Sequence, residues 1–119
     1  MQKKILFIDD EIDIREAVRI ILEEEDYKVK TAEDITSAKE VIAFMPDLII
    51  VDVLLAKKTA HDIAKLLKEN STTKNIPIAI LSAQSMAKLP ETAEKCGASA
   101  YLQKPFEMKE LVMLVENTI

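Results

Sequence analysis

The most constraining feature of the chain is the stretch from Asp47 to Val53, Asp-Leu-Ile-Ile-Val-Asp-Val. Residues 48–51 are apolar without alternation, which is typical of a strand covered on both faces in the middle of a parallel sheet. This strand places the carboxylate of Asp52 at its carboxyl end. Because a charge beside a buried strand is costly to desolvate, the rest of the chain must supply Asp52 with water, a cation or a hydrogen-bond donor.

Four further segments have the pattern of strands. Two are continuous apolar runs like the first, one is short, and one alternates apolar residues with lysines and so predicts a half-exposed strand at the sheet edge. Polar residues directly follow both apolar runs and the short strand. The segments are residues 5–8, 27–31, 78–81 and 99–103, and the groups that follow three of them are Asp9-Asp10-Glu11, Ser82-Ala83 and Lys104-Pro105-Phe106.

Five amphipathic segments carry apolar residues at the spacing of helices that pack on a sheet. Pro46 is expected to close the second helix, Thr59 to cap the third, and Gly97 to end the fourth in the left-handed conformation. Met108 is expected to be core. The apolar positions are Ile14, Ala17, Val18, Ile21 and Leu22; Ile35, Ala38, Val41 and Ile42; Ile63, Leu66 and Leu67; Leu89, Ala93 and Cys96; and Leu111, Val112, Leu114 and Val115.

The alternation of strands and helices predicts the fold class. It is typical of βα units with right-handed crossovers, which build a doubly wound α/β fold with a parallel sheet and helices on both faces. The length of 119 residues suits one domain, predicted over residues 1–119. Ligands of such sheets bind outside the carboxyl ends of the strands. Five polar residues are therefore expected to converge on one edge: Asp9, Asp10, Asp52, Ser82 and Lys104.

Composition narrows the classes of function. The 16 basic and 21 acidic side chains leave a net charge of −5, which argues against nucleic-acid binding by this chain alone, since that needs a clustered positive surface. No apolar run approaches the roughly 20 residues that span a bilayer, and the chain start is too short for a secretory signal. The single cysteine, Cys96, is expected to be a packing residue. We expect a cytoplasmic protein.

The residues at the predicted edge indicate phosphoryl chemistry. Clustered carboxylates repel one another, so either their pKa values rise or a cation binds between them, and hard oxygen ligands suit Mg²⁺ best, with Mn²⁺ or Ca²⁺ as alternatives. Lys104 adds a compact positive charge that steadies phosphoryl oxygens, and Ser82 adds a hydroxyl donor. Together these groups favour a site at which Asp52 forms an acyl phosphate.

These motifs, in this order and each after its own strand, resemble the response-regulator receiver domains of two-component signalling, the CheY-like superfamily. The likeness runs from about Lys3 to the last helix. It implies a flavodoxin-like (βα)5 fold with the strand order 2-1-3-4-5. It also implies a phosphorylation-dependent switch rather than an enzyme, with at most autophosphorylation from small phosphodonors and autodephosphorylation.

The resemblance assigns roles to individual residues. Asp52 would accept a phosphoryl group from a histidine kinase or phosphotransfer histidine. Mg²⁺ would be held by Asp10, Asp52 and the backbone carbonyl of Leu54, and by Asp9 mainly through water. Leu54 is also expected to affect the lifetime of the acyl phosphate.

A second set of implied roles concerns the response to phosphate. Lys104 would pair with Asp52 and then with the phosphoryl oxygens, while Ser82 and the backbone of Ala83 would close onto the phosphoryl group. Tyr101 would turn inward as Ser82 moves, and the Lys104–Pro105 bond would be cis. The surface of helix 4, strand 5 and helix 5 would then shift to control a downstream effector or output domain, or to form a homodimer.

Alternatives stay open at this point. A proline and a glycine common in the family after the acceptor are here Ala56 and Ala60, which keeps a receiver-like scaffold acting without phosphorylation as an alternative. An aspartyl phosphatase is disfavoured because its best-known family has the pattern Asp-x-Asp, whereas Leu54 stands two residues after Asp52. His61 is expected to be a surface residue. The chain is either a stand-alone receiver or one cut from a longer regulator.

Overall fold

The computed structural model describes residues 2–53 and 58–119 and has the predicted alternation of strands and helices. Leu54, Ala56 and Lys57 lie outside the described residues. No helix of the described part is long and apolar enough to cross a membrane. The strands are β1 (Lys4–Ile8), β2 (Lys28–Ala32), β3 (Leu48–Asp52), β4 (Ile78–Ser82) and β5 (Ala100–Gln103), and the helices are α1 (Ile12–Glu24), α2 (Ala38–Phe44), α3 (Ala60–Lys68), α4 (Leu89–Cys96) and α5 (Met108–Thr118).

The five strands form one parallel sheet in the order β2-β1-β3-β4-β5. This confirms the predicted doubly wound, flavodoxin-like fold, with β3 in the centre and β2 at an edge. The register aligns the carboxyl ends of the strands: Asp52 lies opposite Leu81 of β4, and Ser82 lies opposite Gln103 of β5. The predicted site residues are therefore carried to the same edge by the ladder itself.

The core has two layers, one on each face of the sheet. Successive residues of β3 point to opposite faces, so that Ile49 and Val51 pack with α2, α3 and α4, whereas Leu48 and Ile50 pack with α1 and α5. All four side chains are fully buried. The absence of alternation in this strand follows from its having a helix layer on each side.

Two sequence expectations need correction. Ile35 lies before α2 rather than in it, because Ser37 is the N-cap of that helix; its side chain is still buried. Met108 is 58% exposed rather than core, since it is the first residue of α5 and lies outside the buried stripe of Leu111 and Val115. His61 is an exposed residue of α3, as expected from the sequence.

The helix ends predicted at Thr59 and Gly97 are confirmed. The Thr59 side chain accepts a hydrogen bond from the backbone N–H of Asp62, whose carboxylate accepts from the Thr59 N–H in return, forming a capping box. Gly97 ends α4 with φ +67°, a left-handed conformation that glycine adopts without steric cost. Cys96, the residue before it, is buried, and burial raises the pKa of its thiol.

Replacing Gly97 tests the need for this conformation. A Cβ added there would lie 3.7 Å from the Lys68 side chain, an ordinary contact, so the cost comes from the backbone alone. We expect Gly97→Ala to lower the free energy of unfolding by about 1 kcal/mol. Gly97→Asn should lose less, because asparagine tolerates this region better. Urea denaturation measures both, and equal stability of wild type and Gly97→Ala would contradict the argument.

Candidate functional site

The centre of the site is an ammonium group shared by two buried carboxylates. Lys104 follows β5, and its Nζ donates to Asp52 Oδ2 at 2.5 Å and to Asp9 Oδ2 at 3.2 Å. Asp9 follows β1 and Asp52 ends β3, two strands that are neighbours in the sheet. The carboxylates sit side by side because the strands do, and the lysine side chain extends past the end of β4 to reach them.

Burial and charge set the protonation of this trio. Burial removes water from the Asp9 carboxyl and raises its pKa, and the nearby charge of Asp52 acts in the same direction. The backbone N–H of Glu11, which donates to Asp9 Oδ1 at 2.9 Å, and the Lys104 ammonium oppose this rise without cancelling it. For Lys104, burial acts to lower the pKa, but the hydrogen bond and charge of Asp52 together with the charge of Asp9 outweigh it and raise the pKa. The ammonium therefore keeps its proton.

An acidic cluster adjoins the lysine. Asp9, Asp10 and Glu11 each offer a carboxylate oxygen, and these atoms lie within 4.8 Å of one another. Asp9 is fully buried, Asp10 half-buried and Glu11 exposed, so the cluster opens towards solvent. A set of hard oxygen donors with room for water fits Mg²⁺. Glu11 was not among the ligands predicted from the sequence, although its place in a run of three consecutive acids was a signal for it. The predicted carbonyl ligand, Leu54, lies outside the described residues.

The end of β4 adds a buried hydroxyl. Ser82 is 3% exposed, and its Oγ accepts a hydrogen bond from the Gln84 N–H at 2.9 Å. The Ser82 carbonyl accepts from the backbone N–H of Lys104 at 2.7 Å, which links the two chain segments directly. The Lys104–Pro105 peptide bond is cis. Ala83 is exposed beside the site. The structure thus places Ser82 and Lys104 together at the edge that also holds the acids.

Tyr101 is not part of this arrangement. It lies in β5 opposite Ile80, and its side chain is 37% exposed. Its neighbours in the strand, Ala100 and Leu102, pack against the layer of α1 and α5, so strand alternation directs Tyr101 away from that layer. It lines a surface cleft with Leu114 rather than contacting the acidic cluster. The inward movement of Tyr101 stays a prediction.

An apolar groove of about 460 Å³ leads away from the site between α1 and the segment after β5. Lys104 of the site lines the groove together with the apolar side chains of Phe106 and Ile14. Both of these apolar side chains are only half-buried. The groove is lined by Asp13, Ile14, Ala17, Val18, Ile21, Ala83, Lys104, Pro105 and Phe106.

Comparison with known proteins decides the family. The profile of the response regulator receiver domain matches residues 5–116. This chain belongs to that family. It is a receiver domain of two-component response regulators, in which phosphorylation controls signalling. Response regulators act with histidine kinases and with output effectors.

Individual relatives agree with this assignment. The phosphate regulon transcriptional regulatory protein PhoB of Klebsiella pneumoniae is 35% identical over 117 residues, covering 98% of this chain and 51% of PhoB. The chain thus spans about half the length of the curated relatives it matches. The structure of the chemotaxis protein CheY4 of Vibrio cholerae is 27% identical over the full length of both chains, with a TM-score of 0.89.

One structural neighbour contains a metal. The receiver domain of the sensor histidine kinase PA1611 of Pseudomonas aeruginosa, solved with magnesium in its active site cleft, has a TM-score of 0.87 and covers 99% of this chain and 98% of its own. It is 21% identical, so the likeness concerns the fold. The suitability of this chain for Mg²⁺ is therefore argued from its own carboxylate oxygens, those of Asp9, Asp10 and Glu11.

The raised pKa of Asp9 predicts a pH dependence of stability. A carboxyl whose pKa is raised on folding stabilises the folded state below its unfolded pKa, and this contribution is lost as pH rises through the folded pKa. In buffer with EDTA, the free energy of unfolding of Asp9→Asn minus that of wild type should therefore grow as pH rises above the ordinary aspartate value of 3.8. Urea denaturation across that range measures the difference.

Asp62→Asn is the matched control with the opposite sign. The backbone N–H and the hydroxyl of Thr59 lower the Asp62 pKa, so its contribution is present above 3.8 and is lost as pH falls through the folded pKa. The Asp62→Asn difference should become more negative with rising pH. Parallel curves for the two variants would refute the assignment of the Asp9 shift.

Proposed function

We propose that Asp52 is the phosphoacceptor of this receiver domain. The observation that carries the proposal is the direct pairing of the Asp52 carboxylate with the Lys104 ammonium at 2.5 Å, beside an open acidic cluster at the carboxyl edge of the sheet. A carboxylate in this position has a fixed cation next to it and an approach from solvent. Asp9 is the poorer candidate because its side chain is fully buried.

The donor is a phosphohistidine of a sensor kinase or phosphotransfer protein. A carboxylate oxygen of Asp52 attacks the phosphorus, the P–N bond to the histidine breaks, and its electron pair goes to the imidazole nitrogen, which takes up a proton. The product on Asp52 is an acyl phosphate. Lys104, whose raised pKa keeps it charged, moves its hydrogen bond from the carboxylate to the phosphoryl oxygens.

A metal ion and two hydrogen-bond donors assist at the same edge. Asp9, Asp10 and Asp52 would hold Mg²⁺, or Mn²⁺, with Glu11 as an additional oxygen donor; the ion supplies positive charge that neutralises the phosphoryl oxygens. Ser82 retains a hydroxyl proton that can be donated to a phosphoryl oxygen, because its bond to the Gln84 N–H uses only a lone pair. The backbone N–H of Ala83 is the neighbouring donor.

The domain acts as a regulator rather than as a catalyst of an external reaction. Phosphorylation biases the position of Ser82 and, through β4 and β5, the surface of α4, β5 and α5, to which an effector, an output domain or a second copy binds. A nearly complete switch needs about 5 kcal/mol of differential interaction. We place this activity in the cytoplasm, where the buried thiol of Cys96 stays reduced.

Intact-mass spectrometry after incubation with acetyl phosphate tests the acceptor. We expect a single phosphoryl adduct on wild type that requires Mg²⁺ and is absent in Asp52→Asn, because the amide cannot form an acyl phosphate. Asp13→Asn, an exposed acid of α1, is the matched control and should be modified like wild type. An adduct that persists in Asp52→Asn would refute the assignment of the acceptor.

The apolar groove that Lys104 helps to line is the proposed contact for the kinase, because Lys104 connects this groove to the Asp52 carboxylate. Ala17 is exposed in the groove and lies in the middle of α1, where glutamate is a good helix former. Ala17→Glu should lower the rate of phosphotransfer from the cognate kinase by about tenfold. Modification by acetyl phosphate should not change. An equal loss with both donors would contradict a docking role.

A further inference from the structure

Gln84, two residues beyond Ser82, is held by two separate elements of the fold. Its side-chain oxygen Oε1 accepts a hydrogen bond from the hydroxyl of Thr92 in α4 at 3.0 Å. Its backbone carbonyl accepts from Nε2 of Gln103 in β5 at 3.1 Å. All three residues are half-buried, so these bonds are partly shielded from competing water. Gln84 is thus hydrogen-bonded both to α4 and to β5.

The same residue fixes the hydroxyl of Ser82. The N–H of Gln84 donates to Ser82 Oγ, and Ser82 is itself opposite Gln103 in the β4–β5 ladder. The Gln103 side chain therefore extends beyond Ser82 and bonds Gln84, the residue whose N–H orients the Ser82 hydroxyl. Next to this contact, the Lys104 N–H donates to the Ser82 carbonyl at 2.7 Å. The serine and lysine of the site are connected through this short hydrogen-bonded segment.

Thr92 has an alternative acceptor close at hand. Its hydroxyl lies 3.0 Å from Gln84 Oε1 and 3.3 Å from the carbonyl of Lys88, four residues earlier. A hydroxyl has one proton and makes one strong donor bond at a time. If Gln84 moves away, the proton can turn to the Lys88 carbonyl, as threonines in helices commonly do. Release of Gln84 therefore leaves no buried donor unsatisfied on Thr92.

We propose that Gln84, Thr92 and Gln103 are positioning residues that hold Ser82 in the arrangement in which Lys104 pairs with the Asp52 carboxylate, and that their release is a step of the switch. The proposal rests on the proposed function of Asp52. Interactions made in only one of two arrangements shift the balance between them. Weakening the bonds to Gln84 should therefore favour the arrangement in which Ser82 closes onto the phosphoryl group.

The test measures the affinity for fluoroberyllate, a phosphoryl mimic, in the presence of Mg²⁺, by ¹⁹F NMR of the bound species. The informative variants are Thr92→Val, which removes the hydroxyl at similar volume, and Gln103→Met, which removes the amide at similar length. Gln103→Met should tighten binding about threefold to fivefold, the effect expected from losing one net hydrogen bond in the opposing arrangement. Thr92→Val should act in the same direction but by less, because it also removes the bond from the hydroxyl to the Lys88 carbonyl in the released arrangement. Thr92→Ser keeps the hydroxyl and should bind like wild type.

Matched controls separate positioning from general destabilisation. Thr72→Val in the loop between α3 and β4 and Gln2→Met before β1 make the same chemical changes away from Ser82 and should leave the affinity unchanged. A purely structural role of Thr92 and Gln103 would lower the urea midpoint without tightening fluoroberyllate binding. Unchanged or weakened binding in both folded variants would overturn the proposal.

The double variant adds a further criterion. Because Thr92 and Gln103 act on the same residue, their effects should be non-additive in a double-mutant cycle. Additive effects would mean that the two side chains act independently and would overturn the role of Gln84. Wild type that neither binds fluoroberyllate nor forms the acetyl phosphate adduct would instead refute the proposed function itself, and with it this step.

Discussion

The pairing of one lysine with two buried carboxylates is the interaction on which the site depends. Asp9 and Asp52 lie next to each other because β1 and β3 are neighbours, and their mutual repulsion contributes to the raised pKa of Asp9. Removing one member of a buried charge group is costly because its partners are left without compensation. Lys104 provides that compensation here, with its side chain only 17% exposed. A second cation at the acidic cluster would relieve the same repulsion from the solvent side.

This electrostatic arrangement follows from topology. A parallel sheet brings all carboxyl ends of its strands to one edge, so residues distant in sequence, such as Asp9 and Lys104, meet without any long connecting loop. The two core layers hold the strands in register, with central residues such as Ile50 and Val51 fully buried on opposite faces. Each such side chain contributes about 2 kcal/mol on burial. That stability supports buried charges that would otherwise favour unfolding.

The polar contacts around Ser82 have a different character. They are ordinary hydrogen bonds that join side chains to one another or to the backbone, each worth on the order of 1 kcal/mol. At least one donor, the Thr92 hydroxyl, has a second acceptor within reach. Groups with such alternatives suit a part of the molecule that must change position. The site therefore combines a rigid, charged centre at Asp52 with a more easily rearranged border at Gln84. The connection between them is short, since Lys104 and Ser82 share a backbone hydrogen bond.

The sequence by itself predicted the doubly wound architecture and the polar residues that lie together at the carboxyl edge of the sheet. Hydrophobic patterning predicted the central strands because a strand buried on both faces tolerates no polar residue in its middle. Asp52 was noticed because it is a charged residue directly after such a run. Gly97 and Thr59 predicted the ends of their helices correctly, because few residue types suit those capping positions. The misplacement of Met108 shows the limit of this reasoning, because periodicity locates the apolar side of a helix but not how far along its length the neighbouring layer extends. Only the tertiary structure decided that Lys104 bonds Asp9 as well as Asp52, that Glu11 joins the acidic cluster, and that Thr92 and Gln103 meet at Gln84. Such contacts depend on side-chain directions between elements far apart in sequence, and no local pattern records them.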